Sequence, residues 1–253
     1  MKKLSFSILL IIFCNGLFFA QDLKLITYNI RLDLESDGEN KWQNRKEFLC
    51  SQLGFYNPDI FGIQEALPNQ VTDIQSALPK YNYVGIGRDG NGKGESSNIF
   101  FKKNRFEVLT SNTFWLSETP EIISKGWDAA LNRICTYVLL KDKETKQSFW
   151  VFNTHLDHQG EIARTKGIEL ILSKIKALNT KNYPVVLLGD FNSEPNEERI
   201  INLKKLMIDS QDISEQKPFG PSGTFNAFKH NEAVTKRIDY IFLSKGNPFK
   251  VNK

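Results

Sequence analysis

Five short strings each end an apolar, β-prone run on groups that can handle a cation or a phosphate. They are Tyr28-Asn29-Ile30-Arg31, Gln64-Glu65, Asn153-Thr154-His155-Leu156-Asp157-His158, Gly189-Asp190-Phe191-Asn192 and Arg237-Ile238-Asp239-Tyr240. Glu65 follows Ile60-Phe61-Gly62-Ile63, at the mouth of what reads as a buried strand. A carboxylate there is costly without a partner or a metal. Magnesium takes one or two carboxylates and fills its shell with water and phosphate oxygens, so Glu65 suits a single anchor. Gly189 lets the backbone approach closely or turn. Asp190 and Asn192 then share one face, the first able to take a proton from attacking water and the second to orient it. His155 can donate to a phosphoryl oxygen. Asp239 can hold a histidine in place, as a carboxylate does in a triad, and Asn29 can bind metal or phosphate through its amide. Singly, each residue has a plainer reading: Glu65 a solvated strand end, Asp190 an Asx turn, His155 a surface group, Asn29 a turn residue, Asp239 the partner of Arg237. His158 reads as surface or rim. Together they matter, because a fold that gathers strand ends gathers all of them in one cleft.

The elements that must position them follow from periodicity. Strands are expected over 23–30, 59–63, 81–86, 98–102, 106–116, 133–141, 147–153, 184–188 and 238–243. Trp42, Phe48, Leu49 and Leu53 recur at helical spacing until Asn57-Pro58 stops them. Further helices are expected over 69–78, from Ile162 to Leu178 and over 196–206, and Gly-, Asn- and Ser-rich surface loops over 85–97 and 117–131. Bunched strands with helices between them predict sheet packed on sheet, with helices covering the outer faces.

With 40% hydrophobic and 25% charged residues among 253, the chain can bury a sizeable core. Its net charge is +4, two units of which sit in Lys2 and Lys3. That is too mild for electrostatic capture of long nucleic acid. Nucleic acid is therefore the less favoured partner, behind small phosphodiesters, sugar phosphates and lipid head groups. Lys2, Lys3, the apolar run Leu4 to Phe19 and the small Ala20 predict a signal peptide over 1–20 and a mature domain over 21–253. Asn15-Gly16 interrupts that run, which argues against a stable membrane anchor. The expected location is periplasmic or secreted, and the expected state a monomer. Cys50 and Cys135 remain after cleavage and read as small buried apolar residues rather than as a disulfide or a zinc cage.

The order Asn29, Glu65, His155, Asp190-x-Asn192, Asp239 resembles the endonuclease/exonuclease/phosphatase superfamily, over about Leu23 to Phe242. Trp115-Leu116-Ser117, Gly126-Trp127-Asp128 and Arg133-Ile134-Cys135-Thr136 further resemble its exported bacterial branch. The resemblance implies an α/β fold: a four-layer α/β sandwich in which two mixed, mostly antiparallel β-sheets pack face to face with helices on both outer faces. It implies phosphoester hydrolysis, by a phosphodiesterase or phosphatase, with Mg2+ or Mn2+ as cofactor. It assigns metal binding to Glu65 and Asn29, phosphate contact to Asn29 and His155, and catalytic roles to His155, Asp190, Asn192 and Asp239. Glu95 matches a second histidine-orienting carboxylate, and Arg133 is a further candidate for a phosphate contact. The family closes with a Ser-Asp-His string past the strand of Asp239, and this sequence has none. The expectation is therefore a truncated chain, its fold incomplete at the C-terminus and its activity low. The rivals are a secreted nuclease and a binding protein that kept the pocket without turnover. Trp115, Trp127 and Phe225 are expected either to line the pocket or to fill core.

Overall fold

The apolar runs become strands in the computed structural model, which describes residues 22–246 and 249–252; the signal peptide expected at 1–20 lies outside them. β1 (Leu25–Asn29), β2 (Ile60–Gln64), β3 (Tyr81–Val84) and β4 (Ile99–Lys102) form one sheet in the order β1-β2-β4-β3. The second sheet holds β5 (Phe106–Trp115), β6 (Ile134–Asp142), β7 (Ser148–His155), β8 (Val185–Asp190), β9 (Met207–Asp209) and β10 (Asp239–Ser244). Its order is β5-β6-β7-β8-β10-β9. One pair in each sheet, β1 with β2 and β7 with β8, is parallel, and the other pairings are antiparallel.

Side chains alternate across each strand, so each sheet feeds two layers. Val186 and Leu188 of β8 join Ile60, Ile99, Val138 and Val151 between the sheets. Val185 and Leu187 turn outward to Ile168 and Ile171 of α3 (Glu161–Leu178) and to Ile200 and Leu203 of α4 (Glu198–Leu206). On the opposite outer face, Trp42 and Leu53 of α1 (Trp42–Tyr56) and Ile74 of α2 (Pro68–Ala77) cover Phe61 and Phe100. The result is the four-layer α/β sandwich expected. The sheets meet closely at Gly62, where an added Cβ would overlap the Leu188 side chain.

α1 stops where expected, with Asn57 in the left-handed region ahead of Pro58. Two apolar residues assigned to buried helix faces point outward instead: Phe48 is 71% and Ile162 55% exposed. In α1 the buried set is Trp42, Leu49, Cys50 and Leu53, which leaves Phe48 about 100° off the packed stripe. β9 was not expected. It is a three-residue strand that follows α4 directly and pairs with β10. Cys50 and Cys135 are both buried and unpaired with each other. Among the described residues no helix is long and apolar enough to cross a membrane.

Candidate active site

Parallel pairing is what brings the strings together. β1 and β2 run side by side with Asn29 opposite Gln64, so both end at one rim. β7 and β8 do the same with His155 opposite Asp190. Antiparallel β10 starts at that rim, with Asp239 opposite Asp190. The Asn29 amide then spans the two sheets: its Nδ2 donates to Glu65 Oε1 at 2.9 Å and to Asp190 Oδ2 at 2.9 Å. The donor and its Asp190 acceptor lie 161 positions apart in sequence.

Behind this contact lies a buried amide pair. Gln64 Nε2 donates to Asn153 Oδ1 at 2.7 Å, and Asn153 Nδ2 donates to the Ile63 and Asn98 carbonyls. Gln64 immediately precedes Glu65, and Asn153 lies two residues before His155. The pair fixes the two sheets against each other next to the groups that carry charge. The backbone is strained where the side chains are aimed: φ is 58° at Arg31, 63° at Glu65 and 45° at Asn192. Non-glycine residues adopt this region at a cost and persist there only when their surroundings hold them.

Asp190 is buried, and its Oδ1 accepts from the Asn192 backbone N–H at 2.8 Å. Asn192 Nδ2 donates to the Leu156 carbonyl at 2.9 Å and lies 3.0 Å from His155 Nε2. His155 Nε2 is 3.8 Å from Asp190 Oδ2. Burial, and then the nearby Glu65 charge, push Asp190 up to about 6 against the Asn29 and Asn192 hydrogen bonds. Asp239 rises further, to about 8, from burial and then from the Asp190 charge. His155 moves the other way: burial, followed by the Arg133 and Arg88 charges, holds it well below its ordinary value and hence neutral at pH 7.

Several sequence assignments change here. Asp239 faces Asp190 rather than a histidine, and Arg237 pairs with Asp209. Glu95 pairs with Arg88, Nη2 to Oε1 at 2.7 Å, rather than orienting His155. Asn29 Oδ1 accepts the Arg31 N–H at 3.0 Å, and its Nδ2 meets both carboxylates as a donor. Arg133 is deeply held, with Nε on Asp157 Oδ2 at 3.2 Å and Nη2 at 2.9 Å from His158 Nδ1. Asp157 stays well below the usual carboxylate range despite its burial, because the Gly160, Gln159 and Ala130 N–H groups and Arg133 all donate to it. His158 is exposed, as expected. Trp115 is buried, with its indole N–H on the Arg88 carbonyl, whereas Phe225 is 48% exposed. Gln64, Arg88 and the supporting role of Asp157 had no signal of their own in the sequence, although Asp157 and Gln64 lie inside strings already singled out.

A cation suits this donor set only as a lightly held ion. No group of three or more His, Cys, Asp or Glu gathers closely enough to hold a metal among the described residues. The carboxylates nonetheless repel one another, as the raised Asp190 and Asp239 show, and Asp239 Oδ1 is buried without a hydrogen-bond partner. An ion on Glu65, with the rest of its shell from water and substrate, fits such oxygen donors. Beside the rim opens a cavity of about 1120 Å³, bordered by Tyr28, Arg31, Phe48, Phe225 and Phe228.

The model of the Endonuclease/Exonuclease/phosphatase family matches residues 26–251. An uncharacterised protein of Acanthamoeba polyphaga mimivirus is 30% identical over 162 residues, which is 61% of this chain and 60% of the viral protein. Mouse nocturnin is 25% identical over 171 residues, 62% of this chain and 38% of its own length. The chain thus spans less than two thirds of these curated relatives. Among solved structures, a mannosyl-6-phosphatase of Bacteroides thetaiotaomicron superposes with a TM-score of 0.85 at 38% identity, covering 89% of this chain and 86% of that one. The 2',3'-cyclic phosphatase ANGEL2 superposes at 0.66 with 18% identity, covering 88% and 83%, a likeness of fold.

Proposed function

This chain belongs to the endonuclease/exonuclease/phosphatase family, and on that premise we propose that it is a divalent-metal-dependent phosphoester hydrolase acting on a small or lipid-linked phosphoester. The observation that carries the reading is the Asn29 amide held between Glu65 and Asp190, which joins the ends of three strands from two sheets into one site. The likeness to a mannosyl-6-phosphatase supports a sugar phosphate among the candidate substrates.

In the proposed reaction water attacks phosphorus in line. Asp190, with its raised proton affinity, takes the proton, and the Asn192 amide orients the water. With Nε2 facing the Asn192 amide nitrogen, the neutral His155 keeps its proton on Nδ1, from which it donates to a phosphoryl oxygen. Asn29 holds the two carboxylates at a fixed separation. Glu65 would hold Mg2+ or Mn2+, which supplies positive charge against the phosphoryl oxygens when bound. Export to a periplasm or beyond is proposed from Lys2, Lys3 and the apolar run that follows them.

The test is hydrolysis of p-nitrophenyl phosphate, bis-p-nitrophenyl phosphate and plasmid DNA by the purified protein in Mg2+, Mn2+ or EDTA. Turnover of at least one ester that needs the ion and disappears in Asp190→Ala is expected. Turnover indifferent to EDTA, or intact in Asp190→Ala, overturns the reading.

A further inference from the structure

A small recess opens between Glu65 and His155. It is bounded by Arg88, Glu95, Ser97, Asn132 and Arg133, and its volume is about 10 Å³. That is the space of a single water-sized group. Its walls are fixed. The Trp115 indole holds the Arg88 carbonyl at 2.7 Å, the Arg88 N–H donates to the Glu95 carbonyl at 2.9 Å, and Asn132 Nδ2 donates to Asp89 Oδ1 at 3.1 Å.

The recess has more donors than acceptors. The acids near it are already engaged: Asp157 by four backbone N–H groups and Arg133 Nε, Glu95 by Arg88 Nη2, and Glu65 by Asn29 Nδ2 and the Leu32 N–H. Arg133 Nη2 meets His158, while Arg133 Nη1 makes no hydrogen bond to any described residue. Arg88 has a side chain only 11% exposed and pairs with Glu95 through Nη2, leaving further guanidinium N–H groups beside the opening. Both guanidinium groups stand close enough to His155 to depress its proton affinity.

We propose that this recess receives the third terminal oxygen of a phosphomonoester dianion, with Arg88 and Arg133 as its donors, and that it makes the enzyme a monoesterase. The inference rests on the phosphoester-hydrolase reading above and specifies its substrate class. A monoester offers three terminal oxygens and a second negative charge. A diester offers two, and its second ester substituent needs far more room than one oxygen atom. Size and charge therefore discriminate in the same direction. Arg88 belongs to the recess, not to the water-activating pair, so its removal changes which ester is preferred.

The experiment compares kcat/KM for p-nitrophenyl phosphate and bis-p-nitrophenyl phosphate in Mg2+, for the wild type, Arg88→Met and Arg88→Lys. The wild type is expected to favour the monoester. Arg88→Met should lower the monoester-to-diester ratio about tenfold, the worth of one charge-assisted hydrogen bond, and Arg88→Lys should recover part of it. A role confined to holding the loop lowers both rates together and leaves the ratio fixed. Inhibition of the wild type provides a reading that needs no variant: inorganic phosphate should inhibit at a concentration at least about tenfold below dimethyl phosphate. A wild type that prefers the diester, an unchanged ratio in Arg88→Met, or equal inhibition by the two anions overturns the recess. A wild type that cleaves neither ester instead defeats the phosphoester-hydrolase reading itself.

Discussion

Asp239→Asn isolates the electrostatic tension at the rim. β10 sets Asp239 directly across from Asp190, and one oxygen of Asp239 is buried without a partner. Burial and the Asp190 charge raise its carboxyl to about 8, against an unfolded value of about 3.9. Folding therefore favours the protonated form. The stability this represents is fully present below the unfolded value and is lost as pH climbs through about 8. At about 1.4 kcal/mol per unit the ceiling is about 6 kcal/mol. Asp190 is itself raised to about 6, so its charge is incomplete at the acid end of this range, and Asp239 is only partly removed from solvent. We therefore assign on the order of 3 kcal/mol to the pair between pH 5 and 9. The neutral amide of Asn keeps the shape and removes one charge. In urea titrations with EDTA, the stability advantage of Asp239→Asn over the wild type should grow by about 3 kcal/mol between pH 5 and pH 9. Groups elsewhere titrate equally in both proteins and cancel in the difference. Millimolar Mg2+ should narrow the gap at pH 9, because a cation favours both ionised carboxylates. Wild-type and variant curves that stay parallel from pH 5 to 9 would refute the assignment.

Asn29→Ala removes the donor shared by Glu65 and Asp190; kcat with Mg2+ should fall about 100-fold, and a change under threefold would show the amide to be dispensable. Gly189 has φ of +144° and no room for a Cβ against the Thr154 carbonyl. Gly189→Ala should cost about 3 kcal/mol or more, and a wild-type melting temperature would contradict the close approach. Asn153→Leu strips the Gln64 amide and the Ile63 and Asn98 carbonyls of their buried partner. The cost should be about 2–4 kcal/mol, seen as a melting temperature lower by roughly 5–10 °C.

The rim was legible because its markers are local: four strings are apolar strands that end on polar groups, and in the fifth Asp239 opens one. Strand pairing, which no single string encodes, gathers them: parallel for β1 with β2 and for β7 with β8, antiparallel for β8 with β10. What stayed hidden depends on partners far apart in the chain. The Gln64–Asn153 pair joins positions 89 apart, and nothing around Gln64 distinguishes a sheet-to-sheet amide from a solvated one. Glu95 lies seven residues from Arg88, yet the turn that folds them together is specified by backbone geometry at Gly87, Gly90 and Gly94 rather than by their own type. Phe48 was assigned to the packed stripe of α1 because it is apolar and next to Leu49. A one-residue offset rotates a side chain by about 100°, enough to move it from the core to the cavity wall.

The placement of Asn29 ties activity to the seating of an edge strand of the smaller sheet. β1 lies at the edge of its sheet, hydrogen-bonded only to β2, and each of its five residues is half-buried. β8, which carries Asp190, is buried along its whole length between two strands. The two carboxylates are therefore linked through an amide on a weakly held strand, while the group that activates water sits on a firmly held one. Strands with few buried contacts open at lower free energy than the global fold. Each opening of β1 withdraws the Asn29 donor from both carboxylates and leaves them to repel without it, although Asp190, Asn192 and His155 keep their own contacts. The chemical groups and the element that balances their charge thus belong to regions of unequal stability, and the inter-sheet amide pair behind them is what holds the two in one arrangement.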